Sequence, residues 1–183
     1  MKVQKPTVKT CEYDSHQFIP SDITHQISDL LGMCFHDVHM GRIFFKQMPS
    51  CHLVSKIDAK VIGYLGLEYR VIRISDQLIP IVGIVDLCVT LEHRGDGVAK
   101  ALLKHAQARS QGQMFILAMA DDHRIYEKMG FETLKAAKTT WFAIDNVKSH
   151  SIIERDLSDI LLIKPLREKP WPDGKIDLLG HLF

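Results

Sequence analysis

The sequence predicts a mixed α/β fold class, and three observations point to it. Residues 52–89 form apolar runs separated by two short polar turns, as a β meander does. Residues 85–109 pass from an apolar run through a glycine-bearing loop into an amphipathic helix. Met114–Met119 is wholly apolar, as expected of a buried central strand.

In chain order, Val8–Tyr13 reads as a short strand. Ser21 and Asp22 can cap a helix reaching Cys34, with Ile23, Ile27, Leu30, Leu31 and Cys34 as its apolar stripe. His36–Met48 reads as a second, less regular helix. Strands are expected at His52–Ile57, Val61–Ile74 and Leu78–Val89, with Pro80 at a bulge or edge. Val98, Leu102 and Ala106 then recur at helical spacing, with Ala99 and Leu103 beside them. Asp122–Met129 reads as a short helix ended by Gly130. Thr139–Asp145 and Ile160–Ile163 read as strands, the second closed by Pro165. The tail after Leu166 holds too many turn residues to predict a regular element.

A chain of 183 residues with 46% hydrophobic and 25% charged residues can bury a core of ordinary size. The net charge of +1 argues against nucleic acid or an anionic membrane as partner. No apolar run reaches the roughly twenty residues a membrane span needs. The first residues lack the apolar core of a signal peptide, so a cytoplasmic protein, monomer or homodimer, is expected. Cys11, Cys34, Cys51 and Cys88 are scattered and read as reduced thiols. His36 and His39 are three apart, but no zinc-type spacing occurs. No metal is expected, and both histidines read as surface or acceptor-site residues.

The chemistry is concentrated at Arg94-Gly95-Asp96-Gly97-Val98-Ala99-Lys100. A strand, a glycine-bearing loop and a helix start bring free backbone N–H groups and a positive dipole end to one spot, which suits an anion. Arg94, Lys100 and Lys104 add charge there. A P-loop would need Gly-Lys-Ser/Thr, which is absent. A dinucleotide fingerprint would need Gly or Ala where Lys100 stands. The pattern Arg/Gln-x-x-Gly-x-Gly/Ala is met at every fixed position. By this loop the chain resembles the GNAT superfamily of acyl-CoA-dependent N-acetyltransferases, whose pyrophosphate loop it is. Tyr126-Glu127-Lys128-Met129-Gly130-Phe131 matches the family's later Tyr-x-x-x-Gly-Phe.

The resemblance covers roughly residues 21–163. It implies one GNAT domain over 1–183, with a core at about 21–163 and a tail at 166–183. The expected sheet is central, twisted and mostly antiparallel, with flanking helices. Acetyl-CoA is the implied acyl donor, and an unidentified amine is the acceptor. Arg94, Gly95, Asp96, Gly97, Val98, Ala99 and Lys100 would hold the pyrophosphate. The backbone of Leu87, Cys88 and Val89 would hold the pantetheine arm. Tyr126 would protonate the departing thiolate; the competing reading is a packed core tyrosine. Asp86 and Glu68 are the candidate bases, each with a structural alternative. Strand alternation puts Asp86 and Cys88 on one face, and Cys88 reads as packing rather than as an acyl carrier.

Trp171-Pro172-Asp173-Gly174-Lys175-Ile176-Asp177 resembles a late stretch of the nodulation N-acyltransferases, and the meander layout resembles the aminoglycoside 2′-N-acetyltransferases. The tail's apolar residues imply burial, with Asp173, Asp177 and the Phe183 carboxylate near a cationic acceptor. Rival functions are transfer of a longer acyl chain, or a catalytically silent CoA-binding sensor or scaffold.

Overall fold

The computed structural model describes residues 7–15, 17–36, 38–145 and 148–183. Its elements are β1 (Val8–Asp14), α1 (Ser21–Phe35), β2 (Cys51–Ile57), β3 (Lys60–Ile74), β4 (Gln77–Val89), a 3-10 turn (Leu91–His93), α2 (Val98–Arg109), β5 (Phe115–Met119), α3 (Arg124–Glu127), β6 (Glu132–Thr133), β7 (Lys138–Asp145), β8 (Lys148–Asp156), β9 (Leu161–Pro165) and β10 (Ile176–His181). The mixed α/β class is the one expected. The chain forms two compact units, Met1–Gly66 with Asp86–His105, and Leu67–Val85 with Ala106–Phe183.

In the first unit, β1 pairs antiparallel with β2 from Val8 opposite Ile57 to Asp14 opposite Cys51. The apolar stripe of α1 is buried as its spacing requires: Ile23, Ile27, Leu30 and Leu31 pack with Val54, Val61, Tyr64 and Cys88. Each such aliphatic chain contributes roughly 1.5–3 kcal/mol by leaving water. The helix is not capped by Ser21, which is its first residue; the Pro20 carbonyl instead accepts the Thr24 amide at 2.9 Å and the Thr24 hydroxyl at 3.2 Å. Gly63 lets α2 lie close on β3, because a Cβ there would stand 2.8 Å from Val98 Cγ1. The expected helix over His36–Met48 does not form among the described residues of that stretch. His36, Met40 and Gly41 carry φ of 33°, 49° and 75°, and such left-handed residues interrupt a helix.

The strand order of the sheet is β6-β9-β5-β4-β3-β10-β7-β8, of which β3 from Leu67 and β4 to Val85 belong to the second unit. β4 and β5 pair in parallel from Ile81 opposite Phe115 to Gly83 opposite Leu117, and both strands run on beyond that ladder. β5 pairs antiparallel with β9 on its other side, which accounts for its unbroken apolar run. Ile72, Ile74, Ile79, Phe115, Leu117, Leu161 and Ile163 form the core of this unit together with Ile176 and Leu178.

Those last two residues correct the reading of the tail as irregular. β10 pairs antiparallel with β3 and parallel with β7. Gly174, at φ 127°, lets the chain pass the β3–β4 turn, where a Cβ would collide with the Ser75 hydroxyl, and Ser75 N–H donates to Lys175 O at 3.1 Å. β8 was also unexpected. It pairs along β7 but is almost wholly exposed, so it carries no apolar alternation to read. α3 is shorter than expected, because turn residues Lys128–Gly130 take over where Asp122–Met129 had been read as helix.

Candidate active site

The loop after β4 is built for an exposed backbone. Gly95 and Gly97 adopt φ of 88° and 87°, the left-handed region in which glycine avoids the Cβ clash. Nothing lies within 4 Å of a Cβ built on either, and residues 94–97 are exposed. Glycine therefore serves the conformation here, and the space above it is open. The first helical bond of α2 runs from Ala101 N–H to Gly97 O at 2.9 Å. The N–H groups of Val98, Ala99 and Lys100 precede that bond and belong to the helix start, where anions are favoured. Val98 and Leu102 are 3% and 0% exposed and anchor the helix, while Lys100 faces solvent. Asp96 is held by His93 at 3.4 Å.

Arg94 turns back toward the strand. Its Nε donates to Val89 O at 3.3 Å, and its Nη2 lies 3.9 Å from Cys34 Sγ on α1. Both residues line a cavity of about 820 Å³ together with Leu30, Thr90 and Glu92. The hydrogen bond with Cys88, then the Arg94 guanidinium, lower the Cys34 thiol to about 6 against the opposing effect of burial. Cys88, 6% exposed, is pushed upward by the same hydrogen bond and by burial. It is no thiolate nucleophile at neutral pH, in keeping with a packing role. The sequence carried no sign that Cys34 would meet Arg94, sixty residues away.

Asp86 and Cys88 do share a side: each meets a partner from the α1 side of this unit, His39 and Cys34 respectively. Asp86 nonetheless has φ 55°, so strict strand alternation is interrupted at that residue. Its Oδ2 lies 3.0 Å from His39 Nε2. His39 is 2% exposed, which corrects its reading as a surface residue. Leu87 is half-buried and Val89 is 8% exposed, so this strand end presents little beyond its backbone.

The other two candidate catalytic residues belong to the second unit. Glu68 is 6% exposed and gripped by Arg70, whose Nε and Nη2 donate to Oε2 at 2.9 and 2.5 Å. His181 Nε2 stands 3.4 Å away, and Arg70 Nη1 donates to His181 O. Burial pushes the Glu68 carboxyl up, but the His181 hydrogen bond and the Arg70 charge outweigh it and hold the group below the usual carboxylate range. The Arg70 guanidinium also lies 5.2 Å over the Phe183 ring, which occupies the place a Cβ on Gly83 would need. The spacing Glu68-x-Arg70 places both on one strand face, the one sequence signal for this cluster. Asp177 is likewise taken, by Arg73 at 2.7 Å and the Leu179 amide at 3.0 Å, so its charge is not open to an acceptor.

Tyr126 on α3 is 7% exposed and packs edge-on against Phe131 at 5.4 Å. Its carbonyl accepts the amides of Met129 and Phe131 at 2.8 and 3.0 Å, and Gly130 supplies the left-handed turn between them at φ 80°. The Tyr-x-x-x-Gly-Phe spacing thus encodes one closed turn. Burial pushes the phenol up to about 12, so it stays protonated across the working range.

A strand with a left-handed residue at Asp86, running into a glycine-kinked loop and a helix start, and a parallel β4–β5 ladder in a mostly antiparallel sheet are consistent with the GNAT fold. Residues 49–133 match the family model described as an acetyltransferase (GNAT) domain. Among solved structures, the chain is similar to the GNAT family N-acetyltransferase YhbS of Escherichia coli in complex with CoA. That likeness has TM-score 0.66 and 18% identity, and covers 96% of this chain and 92% of that one. It is similar to a GNAT family acetyltransferase of Brucella melitensis in complex with acetyl-CoA, with TM-score 0.55 and 12% identity over 92% of this chain and 94% of that one. It spans only 34% of the longer GCN5-related N-acetyltransferase of Kribbella flavida, at TM-score 0.53 and 19% identity over 69% of this chain. At these identities the likeness concerns the fold. No curated protein matches the chain by sequence. No helix among the described residues is long and apolar enough to cross a membrane.

Proposed function

We propose that the protein is an N-acetyltransferase that moves an acetyl group from acetyl-CoA to an amine within a ternary complex. The observation that carries this reading is the loop Arg94–Lys100, whose left-handed glycines leave an open backbone at the start of α2. The pyrophosphate sits on that loop, and the pantetheine arm follows the backbone of Leu87, Cys88 and Val89. Of the two candidate bases, Asp86 is favoured. Glu68 is already committed to Arg70 and is lowered, which makes it a weak proton acceptor.

Asp86 takes a proton from the ammonium. The neutral nitrogen attacks the thioester carbon, and its second proton afterwards restores the Tyr126 phenol while Asp86 releases its own to water; the C–S bond breaks, and Tyr126 gives the thiolate its proton. Because the Tyr126 phenol lies near 12 and a free thiol near ~8.5, that last transfer is uphill, and positioning must drive it. The net products are the acetamide, CoA thiol and one proton.

Three measurements test the reading. Acetyl-CoA at about a hundred times its dissociation constant should stabilise the fold by about 2.7 kcal/mol, and an unchanged melting temperature sinks the proposal. Thiol release from acetyl-CoA across aminoglycosides, polyamines and peptides then identifies the acceptor class. Tyr126→Phe should lower turnover by ~10² while acetyl-CoA affinity holds. Binding without thiol release on any amine would favour a silent CoA-binding module.

A further inference from the structure

His39 is buried at a cost that packing alone does not require. Its ring lies 5.5 Å from Phe35 and 6.3 Å, edge-on, from Phe45, an aromatic slot that an aliphatic side chain would fill without a polar group. Its Nδ1 is buried and has no hydrogen-bond partner among the described residues. An unmet polar atom of this kind costs about 1–3 kcal/mol. What the ring gains beyond these ring contacts is a hydrogen bond, Nε2 to Asp86 Oδ2 at 3.0 Å.

The segment that carries His39 is shaped to make that contact. Met40 and Gly41 turn the chain with φ of 49° and 75°. Arg42 then folds back, donating to His39 O from its amide at 2.9 Å and from Nε at 3.1 Å. Asp86 answers from β4 in a left-handed conformation that any non-glycine residue adopts at a cost. Backbone strain on one side and an orphaned nitrogen on the other converge on one hydrogen bond. The titratable neighbours are Arg42, the Cys88 thiol two residues along β4, and Cys34 through Cys88.

We propose that His39 is a positioning residue for acyl transfer: its Nε2–H holds Oδ2 of Asp86 so that the other carboxylate oxygen is presented to the amine. This rests on the reading of Asp86 as the base. With Nε2 donating, Nδ1 is the bare nitrogen, and the tautomer is fixed by the carboxylate. Asp86 remains the group that touches substrate; His39 sets its rotamer.

The experiment has a spectroscopic and a kinetic arm. In protein with ¹⁵N-labelled histidine, long-range NMR correlations should show the His39 ring as the Nε2–H tautomer, and Asp86→Asn should change that signal. A ring protonated on Nδ1 and bare on Nε2 overturns the proposal, whatever the acceptor proves to be. In the kinetic arm, thiol release from acetyl-CoA is followed with spermidine, kanamycin and a lysine peptide. His39→Leu should lower kcat by about 10-fold or more, with KM for acetyl-CoA unchanged. His39→Gln keeps an N–H at similar reach and should restore most of the rate. Wild-type kcat in His39→Leu, or equal losses in both variants, overturns the role. Asp86→Asn separates the two levels: if it retains full turnover, the base assignment fails, and if it alone is impaired, only the role of His39 fails.

Discussion

The loop Arg94–Lys100 and the cluster Glu68–Arg70–His181–Phe183 both gather charge, and they do so in opposite ways. In the loop, residues 94–97 and Lys100 are exposed around two left-handed glycines, and Arg94 alone turns back, to Val89 O and Cys34. In the cluster the charged side chains answer each other: Arg70 binds Glu68 and the His181 carbonyl and covers the Phe183 ring, and both ionic side chains are nearly buried. An exposed set of donors that has not satisfied itself is a place for a ligand. A closed ion pair stacked on an aromatic ring is a place for stability. The contrast also bears on Glu68, whose position in the middle of a strand suits a base but whose surroundings suit a strut.

Cutting the cluster should produce the largest effect. Deleting Gly180–Phe183 removes His181 and the ring over Gly83, and should cost about 3–5 kcal/mol in thermal or urea unfolding, on the scale of a deleted core aromatic or a broken buried pair. An unchanged midpoint would reassign the cluster to the open class. Gly97→Glu attacks the loop and should reverse the pattern. It should abolish the stabilisation of about 2.7 kcal/mol expected from saturating acetyl-CoA, at a cost to the free protein of only about 1 kcal/mol for the left-handed conformation. Loss of fold in this variant would show that the loop is structural.

The two regions should also differ in their response to pH. Because the Glu68 carboxyl is lowered on folding, its contribution is complete above the ordinary glutamate value near ~4.3 and is lost as pH falls through the lower folded value. Glu68→Gln should therefore flatten the acid end of the stability curve, and a curve parallel to wild type would argue against the ion pair. Beside the loop the sign of interest is reactivity. Cys34 should be alkylated by iodoacetamide with a midpoint near about 6 while Cys88 stays inert, and Arg94→Ala should move that midpoint upward. Equal reaction of both thiols would break the assignment.

The same contrast explains what could be read in advance. The loop is written in seven consecutive residues, and its neighbours Val98 and Leu102 carry the helical spacing that buries them. Tyr126, Gly130 and Phe131 close a turn within six residues, so their spacing was legible too. The cluster joins residues 111 to 113 positions apart, and nothing local announces that Arg70 will meet His181. β10 was missed because Gly174 and Gly180 look like turn residues. The first serves a close passage beside Ser75, and the strand takes its bend at Leu179, φ 49°. Of the two readings of His39, surface or acceptor-site, the surface one fails for a related reason. Its burial depends on Phe35 and Phe45 closing around it, and a histidine in a polar stretch shows none of that.

The place of β10 has a consequence for how the chain is made. Residues 176–181 lie between β3 and β7, strands that are made before them. Until residues 176–181 emerge, β3 and β7 each offer an unsatisfied edge to any passing strand, the arrangement from which mispairing and aggregation begin. This part of the sheet therefore completes itself late, and a pause or truncation shortly before residue 176 leaves a nascent chain that has made the loop Arg94–Lys100 while β3 and β7 still lack the strand that joins them.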